Sequence, residues 1–249
     1  MRVLITGAAG GIGSAATAEL RRRGARVVGL DLVAGEDIVA CDVRDQASVD
    51  AAVAEAIARL GGLDVLVNNA GIGTPQSAGE APDERALAVI DVNLIGPWRV
   101  TSAALAALRQ SRGRVVNVAS GLAHLALPYG TAYCMSKRGL TAYSDSLRLE
   151  HGDAISVTTV YPGYIRTPIH RESEAAGLGL EGKVPPERVE DAARTIARAA
   201  LGPPARDLAT TRSGAVGYAL MRHIPRRWLD AIVRRRLERL GVTLPASRP

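Results

Sequence analysis

The sequence predicts a three-layer, doubly wound α/β fold whose sheet is mainly parallel and has six or seven strands. Apolar runs rich in β-branched residues alternate with helix-like segments along most of the chain, as expected for parallel strands joined by crossover helices. The chain has 249 residues, of which 47% are hydrophobic and 22% charged. This size and composition fit one globular unit with a single core. We therefore expect residues 1–249 to form a single domain.

The strands and helices are predicted in chain order from their hydrophobic patterns. Apolar runs predict strands near residues 2–6, 26–31, 37–41, 63–67, 114–119, 155–161 and 206–211. Segments in which Ala, Leu and Arg recur with a period of about 3.6 residues predict helices near residues 12–23, 46–60, 83–110, 131–150 and 186–201. Only Leu32 to Glu36 separate the second strand from the third, so one crossover helix is predicted to be missing there.

Composition and charge exclude several classes of protein. No stretch reaches the roughly 18 uninterrupted apolar residues of a membrane span, and the first residues leave no room for a signal peptide, so a cytoplasmic location is expected. Cys41 and Cys134 have no spacing suited to zinc or to a disulfide framework, and no metal site is expected. The net charge of +6 is concentrated from Arg212 onward, which indicates a basic tail and no nucleic-acid partner.

A glycine-rich turn, Thr6 to Gly13, joins the first predicted strand to the first helix. Glycines let the backbone approach a pyrophosphate, and the positive end of a helix attracts its charge. The alternative is a plain tight turn, which the position directly after the first strand disfavours. Asp31 ends the second strand, where a carboxylate can bind the adenosine ribose and would repel a 2′-phosphate, so NAD is expected and NADP is disfavoured. Asp42 is expected near the adenine, with a surface turn as the alternative.

Several short motifs occur in a fixed order along the first two thirds of the chain. They are Thr6-Gly-x-x-x-Gly-x-Gly13, Asn68-Asn69-Ala70-Gly71, Asn93, Ser120, Tyr133-x-x-x-Lys137 and Pro162-Gly163. Through them, residues 1 to 170 resemble the short-chain dehydrogenase/reductase family. The resemblance implies a Rossmann fold that binds a nicotinamide cofactor, and a catalytic tetrad of Asn93, Ser120, Tyr133 and Lys137. The expected cofactor contacts are Gly7, Gly11, Ile12, Gly13, Asp31, Asp42, Val43, Asn69, Ala70, Gly71, Tyr133, Lys137, Pro162, Gly163, Ile165 and Thr167.

The pairing of Tyr133 with Lys137 can also be argued from helix geometry. Residues four apart share one helix face, and an ammonium beside a phenol favours the phenolate. At about 4 Å and a dielectric near 20 the interaction is roughly 4 kcal/mol, enough to lower the tyrosine pKa from about 10 toward neutrality. Tyr133 is then expected to act as general acid for ketone reduction and as general base for alcohol oxidation. The alternative is an exposed helical pair without a catalytic role.

The substrate region is expected to follow the sixth strand. Residues 168–185 are interpreted as a mobile lid, with an ordinary flexible loop as the alternative. Apolar side chains near this region favour a lipophilic substrate. The residues expected to bind it are Ser120, Leu122, Tyr129, Tyr133 and Tyr164.

Residues 212–241 are expected to form a basic helical tail. Apolar residues recur there at helical intervals, at Trp228, Leu229, Ile232, Val233 and Leu237. The pattern predicts an amphipathic helix that either packs over the pocket or makes peripheral contact with an anionic membrane surface. We expect the protein to assemble as a homodimer or a homotetramer.

Taken together, these patterns predict an NAD(H)-dependent oxidoreductase that interconverts a secondary alcohol and a ketone. Its partner would be a small-molecule alcohol or ketone. One alternative is a nucleotide-sugar epimerase or dehydratase, which the glycine spacing and the short chain disfavour. The other is a non-catalytic NAD-sensing protein, which the complete tetrad disfavours.

Overall fold

A computed structural model describes residues 1–178, 181, 184–221 and 223–239. Within them, seven parallel strands form one sheet in the order β3-β2-β1-β4-β5-β6-β7. The strands are β1 (Arg2–Thr6), β2 (Arg26–Asp31), β3 (Ile38–Ala40), β4 (Val65–Asn68), β5 (Arg114–Val118), β6 (Ser156–Tyr161) and β7 (Asp207–Ala209). The predicted doubly wound α/β fold is confirmed.

Helices cover both faces of the sheet. They are α1 (Gly11–Arg22), α2 (Gln46–Leu60), α3 (Glu84–Ile90), α4 (Gly96–Ser111), α5 (Thr131–His151), α6 (Arg171–Ala175), α7 (Val189–Leu201), α8 (Arg212–Met221) and α9 (Arg226–Arg239). Residues of α1 and α7 pack on one face of the sheet, and residues of α2, α4 and α5 pack on the other. The result is the three-layer arrangement that the sequence predicted.

The core is divided by the sheet because strand side chains alternate between its faces. In β1, Val3 and Ile5 join the cluster beneath α1 and α7, whereas Leu4 joins the cluster beneath α2 and α4. All three side chains are fully buried. A central parallel strand with both faces covered requires apolar residues at every position, which explains the uninterrupted apolar run at the start of the chain.

The predicted element bounds differ from the structure at two helices. The predicted helix 83–110 is interrupted by a π-helical turn, Asp91–Ile95, which separates α3 from α4. The helix predicted from residue 186 begins instead at Val189, because Pro186 and Glu187 belong to an extended segment in which Glu187 bridges to Ile165. The crossover predicted to lack a helix, between β2 and β3, contains none.

The predicted lid and tail contain short helices. Residues 168–178 form the 3₁₀ turn Pro168–His170 followed by α6, while residues 179, 180, 182 and 183 lie outside the described part of the chain. The predicted tail is two helices, α8 and α9. In α9, Leu229 is buried, whereas Trp228 and Ile232 are 61% and 53% exposed. The side chain of Leu237 lies outside the described residues.

No described helix is both long enough and apolar enough to cross a membrane.

Candidate active site

A cavity of about 1160 Å³ opens at the carboxyl end of the strands. This is the edge at which doubly wound sheets bind ligands. All sixteen predicted cofactor contacts line the cavity, from the glycine turn to the segment after β6. Of the other predicted site residues, Ser120, Leu122 and Tyr164 also line it. Asn93 and Tyr129 do not belong to the lining.

The glycine turn is held in a shape that larger residues could not adopt. Gly7 has a positive φ of 65°, in the region that favours glycine. A Cβ at Gly13 would lie 1.9 Å from the Gly7 carbonyl oxygen, so helix α1 approaches the turn too closely for any side chain. The Asn69 side chain donates to the carbonyls of Thr6 and Gly7 at 3.0 and 3.2 Å. The Asn69–Gly71 segment therefore braces the turn from the neighbouring strand.

Two carboxylates line the cavity, at the end of β2 and after β3. Asp31 accepts hydrogen bonds from the backbone amides of Ala9 and Leu32, each at 2.8 Å, so it fixes the glycine turn as well as lining the cavity. Asp42 forms an ion pair with Arg44 at 2.7 Å, and its hydrogen bonds with Arg44 lower the Asp42 pKa. The sequence reasoning missed Arg44, which also lines the cavity; its position two residues after Asp42 was the available signal.

Ser120 and Tyr133 meet in the cavity wall. The Ser120 side chain interacts with the Tyr133 phenol, and this interaction by itself lowers the Tyr133 pKa. Burial acts in the opposite direction and is the larger effect, so the Tyr133 pKa rises to about 12. The Ser120 hydroxyl also accepts from the Leu122 amide at 3.2 Å. The phenol is therefore protonated at neutral pH and shares the cavity wall with Ser120.

Lys137 is 4% exposed, and its ammonium lies 5.8 Å from the centre of the Tyr133 ring. Its Nζ donates to the Val118 carbonyl at 3.0 Å, and burial lowers the Lys137 pKa to about 8. The two side chains do share one face of α5. However, the expectation that Lys137 lowers the Tyr133 pKa toward neutrality is not met, because burial disfavours the charged form of both groups.

Asn93 is fully buried in the π-helical turn between α3 and α4. Its side chain exchanges two hydrogen bonds with the Ile72 backbone, both at 2.9 Å, and donates to the Ser136 hydroxyl at 3.2 Å. A Cβ at Gly71 would lie 3.2 Å from Asn93 Oδ1 and 3.5 Å from Lys137 Nζ. Asn93 thus lies beside Lys137, separated from the cavity by Gly71.

The segment after β6 is anchored by a carboxylate that sequence reasoning missed. The Glu187 side chain accepts from the Gly163 amide at 2.9 Å and from the Thr211 hydroxyl at 3.1 Å. Glu187 also accepts a hydrogen bond from Thr210. It therefore ties the turn after β6 to the residues after β7. No local sequence signal distinguishes this glutamate, since its partners come from distant parts of the chain.

The remaining wall of the cavity is mainly apolar. It includes Leu122, Leu125, Leu127, Ile169, Val184, Met221 and Val233. Tyr164 is buried against His170, with ring centres 4.9 Å apart. Tyr129 lies instead in a partly exposed turn, where its carbonyl accepts from the Gln76 amide at 2.8 Å. Among the described residues, no group of three or more His, Cys, Asp or Glu side chains is arranged to hold a metal ion.

Known proteins share both the sequence and the fold. The chain is 37% identical over 183 residues to the oxidoreductase UcpA of Salmonella typhimurium, covering 67% of this chain and 70% of that one. It is 38% identical over 184 residues to human retinol dehydrogenase 16, covering 67% of this chain and 57% of that protein. A solved short chain dehydrogenase from Burkholderia cenocepacia, in complex with NADP, matches with a TM-score of 0.80 and 27% identity. That match covers 93% of this chain and 96% of the other.

The family described as short chain dehydrogenase has a sequence model that matches residues 1–177. The match includes the glycine turn, the bracing asparagine segment, the Ser120–Tyr133 pair and the turn after β6. These are the parts of the chain that converge on the cavity. The chain is therefore an oxidoreductase that belongs to the short-chain dehydrogenase/reductase family.

Proposed function

We propose that this protein is an NAD(H)-dependent oxidoreductase that interconverts a secondary alcohol and a ketone, with Tyr133 as the general acid and base. The observation that carries the proposal is that Ser120, Tyr133 and Lys137 line the same cavity, where the Ser120 side chain interacts with the phenol and lowers the Tyr133 pKa. Such a pair can hold one oxygen atom of a substrate, since both hydroxyls donate and accept.

The cavity fits a nicotinamide dinucleotide at its glycine turn. Gly7, Gly11 and Gly13 leave no room for side chains where the strand meets α1, and the α1 N-terminus provides unpaired amides for a pyrophosphate. Asp31 would hold the adenosine ribose, and Lys137 the nicotinamide ribose. When bound, the nicotinamide would donate or accept the hydride. The protein's own residues would then manage the proton.

Tyr133 suits proton donation to a ketone oxygen. Its raised pKa keeps the phenol protonated at neutral pH, so the proton is available when the oxygen gains charge. Ser120 would orient that oxygen through a second hydrogen bond. In alcohol oxidation the same phenol must first lose its proton, so we propose that oxidation is favoured at alkaline pH and reduction at neutral pH.

The choice of NAD over NADP rests on Asp31. Its carboxylate faces the cavity at the end of β2 and would repel a 2′-phosphate. Arg44 is the cation on the same side that could attract such a phosphate. Its guanidinium is bonded to Asp42 through both Nε and Nη2, so its charge is largely compensated by that carboxylate.

The test is the oxidation of NADH and of NADPH at neutral pH with a panel of lipophilic ketones, aldoses and acyl thioesters. We expect NADH oxidation with lipophilic ketones. Tyr133→Phe should lower kcat at least a hundredfold, a typical loss for a general acid, and leave the NADH dissociation constant within about twofold. The control is Tyr143→Phe, which removes a hydroxyl from the same helix outside the cavity. Turnover by Tyr133→Phe at the parent rate would contradict the assigned role.

A further inference from the structure

One face of α8 forms part of the cavity wall. Its lining residues are Ser213, Gly214, Gly217, Tyr218 and Met221, which follow the three- and four-residue spacing of one helix face. Val216 and Leu220 lie on another side of the helix and are exposed. Helix α8 therefore presents one face to the cavity and another to solvent. The face toward the cavity carries two glycines, Gly214 and Gly217.

Tyr218 lies directly on the turn that carries Ser120. A Cβ at Gly121 would be 2.2 Å from the Tyr218 hydroxyl oxygen, so the phenol occupies the space beside that glycine. The Tyr218 ring also packs on His124 and Tyr161, with ring centres 5.0 and 6.1 Å apart. These contacts hold Tyr218 against Gly121, the residue after Ser120, where the Tyr218 side chain forms part of the cavity wall.

Whereas Tyr218 fills the space beside Gly121, Gly217 leaves the space beside it empty. A Cβ built at Gly217 meets no described atom within 4 Å, although the residue lines the cavity. A larger side chain there would extend into open volume without displacing a neighbour. A glycine inside a helix is less stabilising than an alanine at the same position, because its backbone loses more conformational entropy on folding. The helix is thus less stable than it would be with a side chain filling the same volume.

We infer that Gly217 and Tyr218 determine which substrates fit, by leaving room for a bulky apolar substituent while closing the side next to Ser120. The inference rests on the proposed function, because it places the reacting oxygen at Ser120 and Tyr133. The substituent would contact apolar side chains such as Leu122, Met221 and Val233. The substrate class is therefore a ketone or alcohol with one large lipophilic group.

The experiment compares Gly217→Leu with Ala219→Leu. Ala219 lies on the same helix, is exposed and does not line the cavity, so its variant is a matched control for added bulk. We measure kcat/KM with NADH for 2-butanone and for the bicyclic ketone 2-decalone. Gly217→Leu should lower the ratio of 2-decalone to 2-butanone at least tenfold. Ala219→Leu should change that ratio by less than about twofold. In both variants the NADH dissociation constant should stay within about twofold of the parent value.

A binding measurement separates this inference from the proposed function. Nile red, an uncharged apolar dye, is titrated into each protein with saturating NADH while its fluorescence is followed. Gly217→Leu should weaken dye binding at least tenfold relative to Ala219→Leu. If the parent reduces no carbonyl compound, the proposed function fails and the dye result alone decides the inference.

Unchanged ketone selectivity and unchanged dye affinity in a folded Gly217→Leu protein would overturn the inference. Circular dichroism and thermal melting establish whether that variant is folded. If it is not, Gly217→Ala takes its place, because alanine favours the helix and fills part of the same volume. A selectivity change of at least twofold toward 2-butanone, absent from Ala219→Leu, is then the expected result, and its absence contradicts the inference.

Discussion

Burial determines the protonation of the two ionisable residues on the active-site face of α5. Tyr133 keeps its proton and Lys137 loses part of its affinity for one, because a low-dielectric surrounding disfavours both the phenolate and the ammonium. The attraction between opposite charges, which the four-residue spacing suggests, operates only when both groups are ionised. At the residue scale, the site at neutral pH therefore combines the uncharged hydroxyls of Ser120 and Tyr133 with the buried ammonium of Lys137.

The buried amine makes stability depend on pH. The Lys137 pKa is about 8 in the folded protein and 10.5 in its unperturbed state, so the unfolded chain binds more protons between these values. The contribution of Lys137 to the free energy of unfolding is therefore constant below pH 8 and rises between pH 8 and pH 10.5. A shift of this size corresponds to about 3 kcal/mol.

Urea unfolding of the parent and of Lys137→Met at pH 7.5 and pH 10 tests this prediction. The variant lacks the titrating group, so the parent should gain on the order of 2–3 kcal/mol relative to it between the two pH values. Other titrating groups cancel in the difference between the proteins. An equal change in both proteins would show that Lys137 is not buried as the structure describes.

Asp31 accepts a hydrogen bond from the glycine turn, and we propose that it also selects NAD over NADP. Asp31→Asn keeps an oxygen that accepts from the Ala9 amide but removes the charge that would repel a 2′-phosphate. We expect the ratio of NADPH to NADH affinity, measured by fluorescence titration, to rise at least tenfold. Asp37→Asn is the control, since Asp37 is an exposed carboxylate paired with Arg21 outside the cavity lining. An unchanged ratio in Asp31→Asn would remove the basis for preferring NAD.

At the scale of single elements, three short irregular segments shape the cavity and its surroundings. The glycine turn holds α1 against β1, the π-helical turn places Asn93 beside Lys137, and the extended segment at Glu187 anchors the turn after β6. Each segment departs from regular helix or strand geometry at the point where it reaches the cavity. The regular helices and strands on either side form the rigid scaffold that fixes these irregular segments in place.

The close approach in the glycine turn leads to a specific prediction. Gly13→Ala would place a methyl group 1.9 Å from the Gly7 carbonyl oxygen and 2.8 Å from the Asn69 side-chain nitrogen. The turn must shift, so NADH affinity should fall at least tenfold and the melting temperature should drop. Gly79→Ala is the control, because a Cβ there meets only the Ser77 hydroxyl at 3.8 Å. Parent-like NADH binding by Gly13→Ala would show that the turn does not hold the cofactor.

At the scale of the whole molecule, strand order brings distant parts of the chain to one edge. The sheet order reverses between β1 and β4, which creates a crevice at their carboxyl ends. Residues after β2, β5 and β6 reach the same crevice, so the walls of the cavity come from separate regions of the sequence. The C-terminal helices α8 and α9 contribute Tyr218 and Val233 to the wall of the same cavity.

The outer surface of α4 and α5 leads us to propose assembly into a homo-oligomer. Trp98 on α4 and Met135 on α5 are both 58% exposed, and Leu149 on α5 is 88% exposed. Met135 and Leu149 lie within about 40° of each other around the helix, and Trp98 packs on Tyr143 of α5. Large apolar side chains exposed on one side of a protein are typical of a contact with another protein.

Light scattering coupled to size-exclusion chromatography tests this assembly. The parent is expected at twice the 26.1 kDa chain mass or more. Trp98→Glu combined with Leu149→Glu should shift the mass toward the monomer, because a buried unpaired charge is costly. Val216→Glu combined with Leu220→Glu, on exposed positions of α8, is the control. A parent protein that has the mass of a monomer at micromolar concentration would contradict the proposal.

The sequence by itself determined the alternation of strands and helices, the missing crossover helix, the glycine turn and the shared face of Tyr133 and Lys137. These features are encoded by local periods and spacings, which the backbone must obey wherever the segment lies. The raised Tyr133 pKa, the Arg44–Asp42 pair facing the cavity, the Glu187 anchor and the contact of Tyr218 with Gly121 depended on the tertiary structure. Each results from burial or from contacts among separately positioned groups, which local periods do not encode.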